Sequence, residues 1–134
     1  MDARIVFLTA ALSLLSLVNS GCGSNRQLRS ITVTPATADG QNYPNSQVQF
    51  TATGAYNDGS TNSSLSVRWS IDNPFAPPPL PTGITLSSSG VGQCSGFVGT
   101  VTIFATAPVD PSTPISAMTM STPNVSGSAQ LTCP

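Results

Sequence analysis

The chain has 134 residues, enough for one domain of ordinary size, and carries four Arg, five Asp and no Lys, Glu or His. With 7% charged residues and a formal net charge of −1, it offers no field for nucleic acid or anionic lipid. The missing residues are also the usual general bases, so catalysis would rest on Asp and Tyr, and no nucleophile has a visible activating partner. Ser, Thr, Gly, Pro, Asn and Val stand in for the strong helix formers, which favours strands and turns and predicts an all-β fold.

In chain order, residues 1–21 read as a secretory leader: Arg4 and the terminal amine precede an apolar run from Ile5 to Val18. The run falls short of the ~20 helical residues that span a bilayer core. Val18-Asn19-Ser20 is a tolerable site for ordinary signal peptidase. Asn19-Ser20-Gly21-Cys22 instead resembles a bacterial lipobox, matching at Ser20, Gly21 and Cys22 and departing at Asn19, where that motif usually has Leu. The chain has three cysteines, Cys22, Cys94 and Cys133, and an exported protein with an odd number leaves one over. If Cys22 is lipidated, Cys94 and Cys133 pair as a structural disulfide in an oxidising compartment. The resemblance to lipoproteins implies diacylation of Cys22 and attachment to the membrane through lipid. By the same resemblance, Gly23 rather than Asp after the cysteine implies the outer rather than the inner membrane. Residues 22–29 then form a polar tether, and 30–134 form the domain.

From residue 30 the chain alternates in short runs. "SITVTP" places Ile31 and Val33 on one face, and "SQVQFTATG" turns Val48, Phe50 and Ala52 inward. "LSVRWSID" aligns Leu65, Val67, Trp69 and Ile71; "GITLSS" offers Ile84 and Leu86. "FVGTVTIFATA" and "GSAQLTC" set Val101, Ile103, Ala105 and Ala107, then Ala129, Leu131 and Cys133, against Thr, Ser and Gln. Such one-sided alternation fits antiparallel sheets with one buried face, in about seven strands. Phe50, Val67, Trp69 and Ile103 are core candidates. Asn57-Asp58-Gly59 is a tight turn, with Asp58 and Gly59 in its reversing positions. The proline-rich residues 74–82 read as a stiff loop. Residues 108–124 read as an insertion, with Ser116 to Ser121 a candidate extra edge strand and Met118 and Met120 a candidate cover for Phe104.

Residues 28 to 132 resemble a bacterial immunoglobulin-like domain of group 2, the module of intimin- and invasin-type surface proteins. "LRSITVTPATA", "VQFTATGAYNDGST", "SVRWSID", "GTVTIFATA" and "VSGSAQLT" carry the resemblance in order. It implies an immunoglobulin-like antiparallel β-sandwich that binds, adheres or acts as a spacer at the cell envelope. The expected role is non-catalytic, with no cofactor, no metal and no nucleic acid. A protein or glycan at the cell surface is the implied class of partner, and residues 74–82 and 108–124 are the first places to look for contact. The alternative is a periplasmic accessory domain that binds carbohydrate or assists an enzyme encoded elsewhere; two or more exposed aromatics in one cleft would favour it. Asp39, Asp58, Asp72 and Asp110 fall at strand ends or loops, but without the D-x-D-x-D-G spacing of a calcium loop.

Overall fold

The computed structural model describes residues 25–74 and 80–134; the leader, Cys22 and residues 75–79 lie outside the described residues. The described chain is all-β. In chain order its strands are β1 (Leu28–Thr34), β2 (Thr37–Asp39), β3 (Gln47–Gln49), β4 (Thr51–Tyr56) and β5 (Thr61–Asn62), then β6 (Arg68–Ile71), β7 (Ile84–Leu86), β8 (Val91–Cys94), β9 (Gly99–Pro108) and β10 (Asn124–Cys133). They form three sheets, ordered β1-β4-β5, β3-β8-β7 and β2-β10-β9-β6. Every pairing is antiparallel except β2 with β10, which is parallel.

The longest ladder is β9 with β10, where Gly99 to Pro108 faces Cys133 to Asn124 without a break. Its inward residues Val101, Ile103, Ala105, Ala129 and Leu131 are buried, and they share one core with Ile31, Val48, Phe50, Ile71 and Ile84. Trp69 and Val67 are only partly buried and pack against the rim of that core. The Trp69 indole lies 6.5 Å from the Phe50 ring, centroid to centroid.

Ten strand segments, where alternation suggests about seven, arise from local interruptions. Phe50 separates β3 from β4: its N–H donates to Gly90 O while the flanking residues pair with different neighbours. Pro35, which has no N–H to give, ends the pairing of β1 with β4. Two residues later the chain pairs with β10 instead.

Several boundaries differ from the sequence reading. β1 begins at Leu28, inside the expected 22–29 tether, because an irregularity between Leu28 and Ser30 breaks the alternation. Leu28 and Ile31 are therefore both buried. Leu65 and Val67 precede β6: there the chain is still tied to β4, with the Leu65 N–H donating to Ala52 O at 3.3 Å. Residues 116–121 make no edge strand. A 3-10 turn at Ile115–Ala117 follows Pro114, and the Thr119 N–H is satisfied locally by Thr122 Oγ1 at 2.9 Å. Of the two methionines expected over Phe104, Met118 is buried and Met120 is 74% exposed.

β1 and β10 are not paired with each other, yet they meet closely. Gly127 stands at an inward position of β10, opposite Ala105. A Cβ there would collide with the Ile31 carbonyl oxygen and sit 2.9 Å from its carbon. Only a residue without a side chain lets the two backbones approach in this way.

Candidate functional site

One end of the molecule is built around Asn57, the residue after β4. Its N–H donates to Gln27 O, its side-chain NH2 to Asn25 O, and its Oδ1 accepts the Gln27 N–H, all at 2.9 Å. Three bonds from one residue thus fasten the segment that precedes β1. Arg26, between those two residues, lays its guanidinium 3.8 Å above the centre of the Tyr56 ring, and its Nε is 3.5 Å from Asp58 Oδ2.

The turn beneath is the Asn57-Asp58-Gly59 reversal between β4 and β5. Gly59 takes a φ of 81°, and its N–H donates to Tyr56 O at 3.1 Å. Asp58 accepts from Ser60 twice, from the hydroxyl and from the backbone N–H. The Ser60 hydroxyl, then its N–H, then Arg26 hold the Asp58 carboxyl below its ordinary 3.8. A lowered folded-state value means that the ionised turn is complete above pH 3.8 and is lost as pH falls through the folded value. Ser60→Ala should move the Asp58 midpoint up toward 3.8, read by carboxyl-carbon NMR titration; an unmoved midpoint would contradict this assignment. Asp110 is lowered in the same way by the Ser112 hydroxyl and N–H.

Between the chain from the end of β5 onward and the 109–123 loop lies a groove of about 610 Å³. Leu28, Tyr56, Ala107 and Pro108 line its base; residues 62–66 and 111–116 stand along it. Leu28 and Leu65 close over Gly54, where a Cβ would meet their methyl groups at 2.8 and 3.0 Å. A shallower hollow of about 420 Å³ adjoins it beyond Leu65 and Ile115, reaching Phe50 and Trp69. A third, of about 490 Å³, lies among Thr37, Asp39, Tyr43 and Thr132. Among the described residues, none of the three combines two exposed aromatic rings: Tyr56 and Phe50 are buried, leaving Trp69 and Tyr43 each alone.

The four aspartates singled out in the sequence do not converge. Asp39 accepts from Gln41 and Asp72 from the Thr102 N–H, while Asp58 and Asp110 accept from the serine two residues on. Each carboxylate fixes a local turn or strand end, the ordinary work of Asp there. Among the described residues no three of His, Cys, Asp and Glu come together.

The other end holds the bridge. Cys94 at the end of β8 is bonded to Cys133 at the end of β10, with Cα atoms 5.7 Å apart, joining two sheets. Gly40 packs against it: a Cβ there would lie 2.9 Å from Cys94 Sγ. The chain on either side of residues 74–82 also belongs to this end, since Asp72 is bonded to Thr102 and Gly83 O accepts from Ser95 and Phe97. Val98, 76% exposed, stands here as well. The two loops named as the first places to look for contact therefore emerge at opposite ends of β9, about 20 Å apart along the strand from Thr102 to Pro108. The Asn57 clamp and the Arg26–Tyr56 stack were not expected from sequence. Asn before Asp-Gly is ordinary turn chemistry, and nothing local reveals that its side chain reaches back 32 residues to Asn25. Compared with the models of known protein families and with curated proteins, the chain matches none of them.

Proposed function

We propose that the chain is a non-catalytic, lipid-anchored immunoglobulin-like module of the cell envelope, where it serves binding, adhesion or spacing. The disposition of the cysteines carries this reading. Cys94 and Cys133 are joined within the fold, so Cys22, behind an apolar leader and small residues, has neither of them as a partner. Lipidation gives that thiol a use, and two or three acyl chains hold far more firmly than one.

The sheet order supports the architecture. If β3 and β4 are counted as one strand bent at Phe50, one layer reads β7-β8-β3/β4-β1 and the other β6-β9-β10-β2. This order resembles that of an immunoglobulin sandwich, with the first strand divided between layers as β1 and β2 and the two-residue β5 added beside β4. The mechanism is passive: a bridged β-framework holds loops and hollows at fixed positions beyond the bilayer surface.

Intact mass of the protein extracted from membranes in detergent tests the anchor. The expected species begins at Cys22, carries diacylglyceryl with or without a third acyl chain, and lacks two hydrogens for the bridge. A species with an unmodified Cys22 would end the lipid-anchor reading.

A further inference from the structure

We infer that the Asn57 clamp is an orienting device: it shortens the leash to the membrane so that the turn at residues 57–60 faces the lipid headgroups and the Cys94–Cys133 end points away. This rests on the attachment of Cys22 to the bilayer proposed above. The folded body does not start at β1. It starts three residues earlier, because Asn57 binds Asn25 and Gln27 and Tyr56 carries Arg26. Three peptide units separate Cys22 from Asn25, and covalent geometry allows them at most about 11 Å. Were the body fastened only from Leu28, the leash would have six units and about twice that reach.

A reach of ~11 Å is small beside the body it holds, since β9 from Gly99 to Pro108 is about 30 Å long. The Asn25 end cannot leave the headgroup region, and the bridge end stands about one strand length farther out. The chemistry of the inner end suits contact with headgroups without insertion. It presents Asn57, Ser60, Ser112, Arg26 and two carboxylates, Asp58 and Asp110, that are held ionised, with Met120 of the 109–123 loop as its one large exposed apolar side chain among the described residues. Charged, hydrated groups of this kind stay in water at an interface rather than enter it. Val98, 76% exposed, lies at the outer end, free to meet a partner. The groove beside residues 111–116 opens near the bilayer, so a large soluble partner would reach the outer end more easily.

The test uses isotope-labelled protein in nanodiscs whose lipids carry a gadolinium chelate on the headgroup. Attachment is through the native acyl chains or, if Cys22 proves unmodified, through its thiol to a maleimide headgroup. Paramagnetic relaxation of backbone amides is then compared between residues 57–60 and 110–113 and residues 95–99. The expected enhancement is at least about ten-fold larger at the first two sets, given its steep fall with distance. Asn57→Ala, with chemical shifts of β9 and β10 unchanged, should reduce the contrast to within about three-fold. A six-residue Gly-Ser insertion after Ser24, which leaves the described fold untouched, should do the same. Equal relaxation at both ends, or a contrast that survives the insertion, would overturn the inference. Intact mass of the same sample judges the lipid anchor separately, because the thiol-coupled sample reports orientation either way.

Discussion

Replacing the bridge by Cys94→Ala with Cys133→Ala should lower the unfolding free energy by about 4 kcal/mol. The pairing closes a loop with a sequence separation of 39, and cross-linking such a loop removes conformational freedom from the unfolded chain by about that amount in the chain-entropy account. The folded state adds a second reason. Cys133 is 2% exposed and Gly40 leaves room for Cys94 Sγ, so the double alanine variant also leaves space at a junction of two sheets. A domain of this size should lose roughly 20 °C in melting temperature as a result. Urea unfolding of the two forms, with linear extrapolation, measures the difference. A loss below about 1 kcal/mol would show that the bridge fastens two regions already held together without it.

Gly127→Val should cost about 3 kcal/mol, the upper end of what overpacked interiors usually lose. The obstacle is not a movable side chain. The first atoms a Cβ meets belong to the Ile31 backbone, which is held in the β1–β4 ladder, so relief requires the two sheets to part. Gly127→Ala should already be clearly destabilising. Ser128→Ala, one residue on and facing outward, should change stability by less than about 0.5 kcal/mol. A shift in urea midpoint without change of slope is the expected signature. A Gly127→Val variant as stable as the parent would mean that β1 moves freely over β10, against the packing described.

The all-β character was legible because alternation is a property of one strand at a time. Val48, Phe50 and Ala52, or Val101, Ile103 and Ala105, turn to the same side whichever strand lies beside them. What alternation cannot express is the identity of that neighbour. Nothing in Thr37-Ala38-Asp39 announces a parallel pairing with residues 130–132, because the partner is more than ninety positions away. The same limit applies to Leu65. It keeps the spacing of Val67, Trp69 and Ile71 yet remains bonded to Ala52, so a regular pattern ran across a crossing between sheets. At Leu28 the error is reversed, since one irregular residue spoils the pattern of a strand that continues through it.

Features of the candidate site were less legible, for a different reason. The turn at Asp58 and Gly59 follows from local chemistry, but the clamp made by Asn57 and the stacking of Arg26 on Tyr56 depend on which strand ends meet. The separation of residues 74–82 from 108–124 is likewise topological. Both are long, polar or proline-rich connections, and only the up-and-down course of β6 and β9 sends them to opposite ends.

The divided first strand also determines how the body bears tension. A pull between Ala36 and Thr132 draws β2 and β10 in opposite directions along their common axis, because the two run parallel and are held from opposite ends. Their inter-strand hydrogen bonds, with the adjoining bond from the Gln130 N–H to Ala36 O, then carry the load side by side rather than opening one after another. Force applied across the molecule meets a lap joint, and its strength is shared by every bond in the overlap.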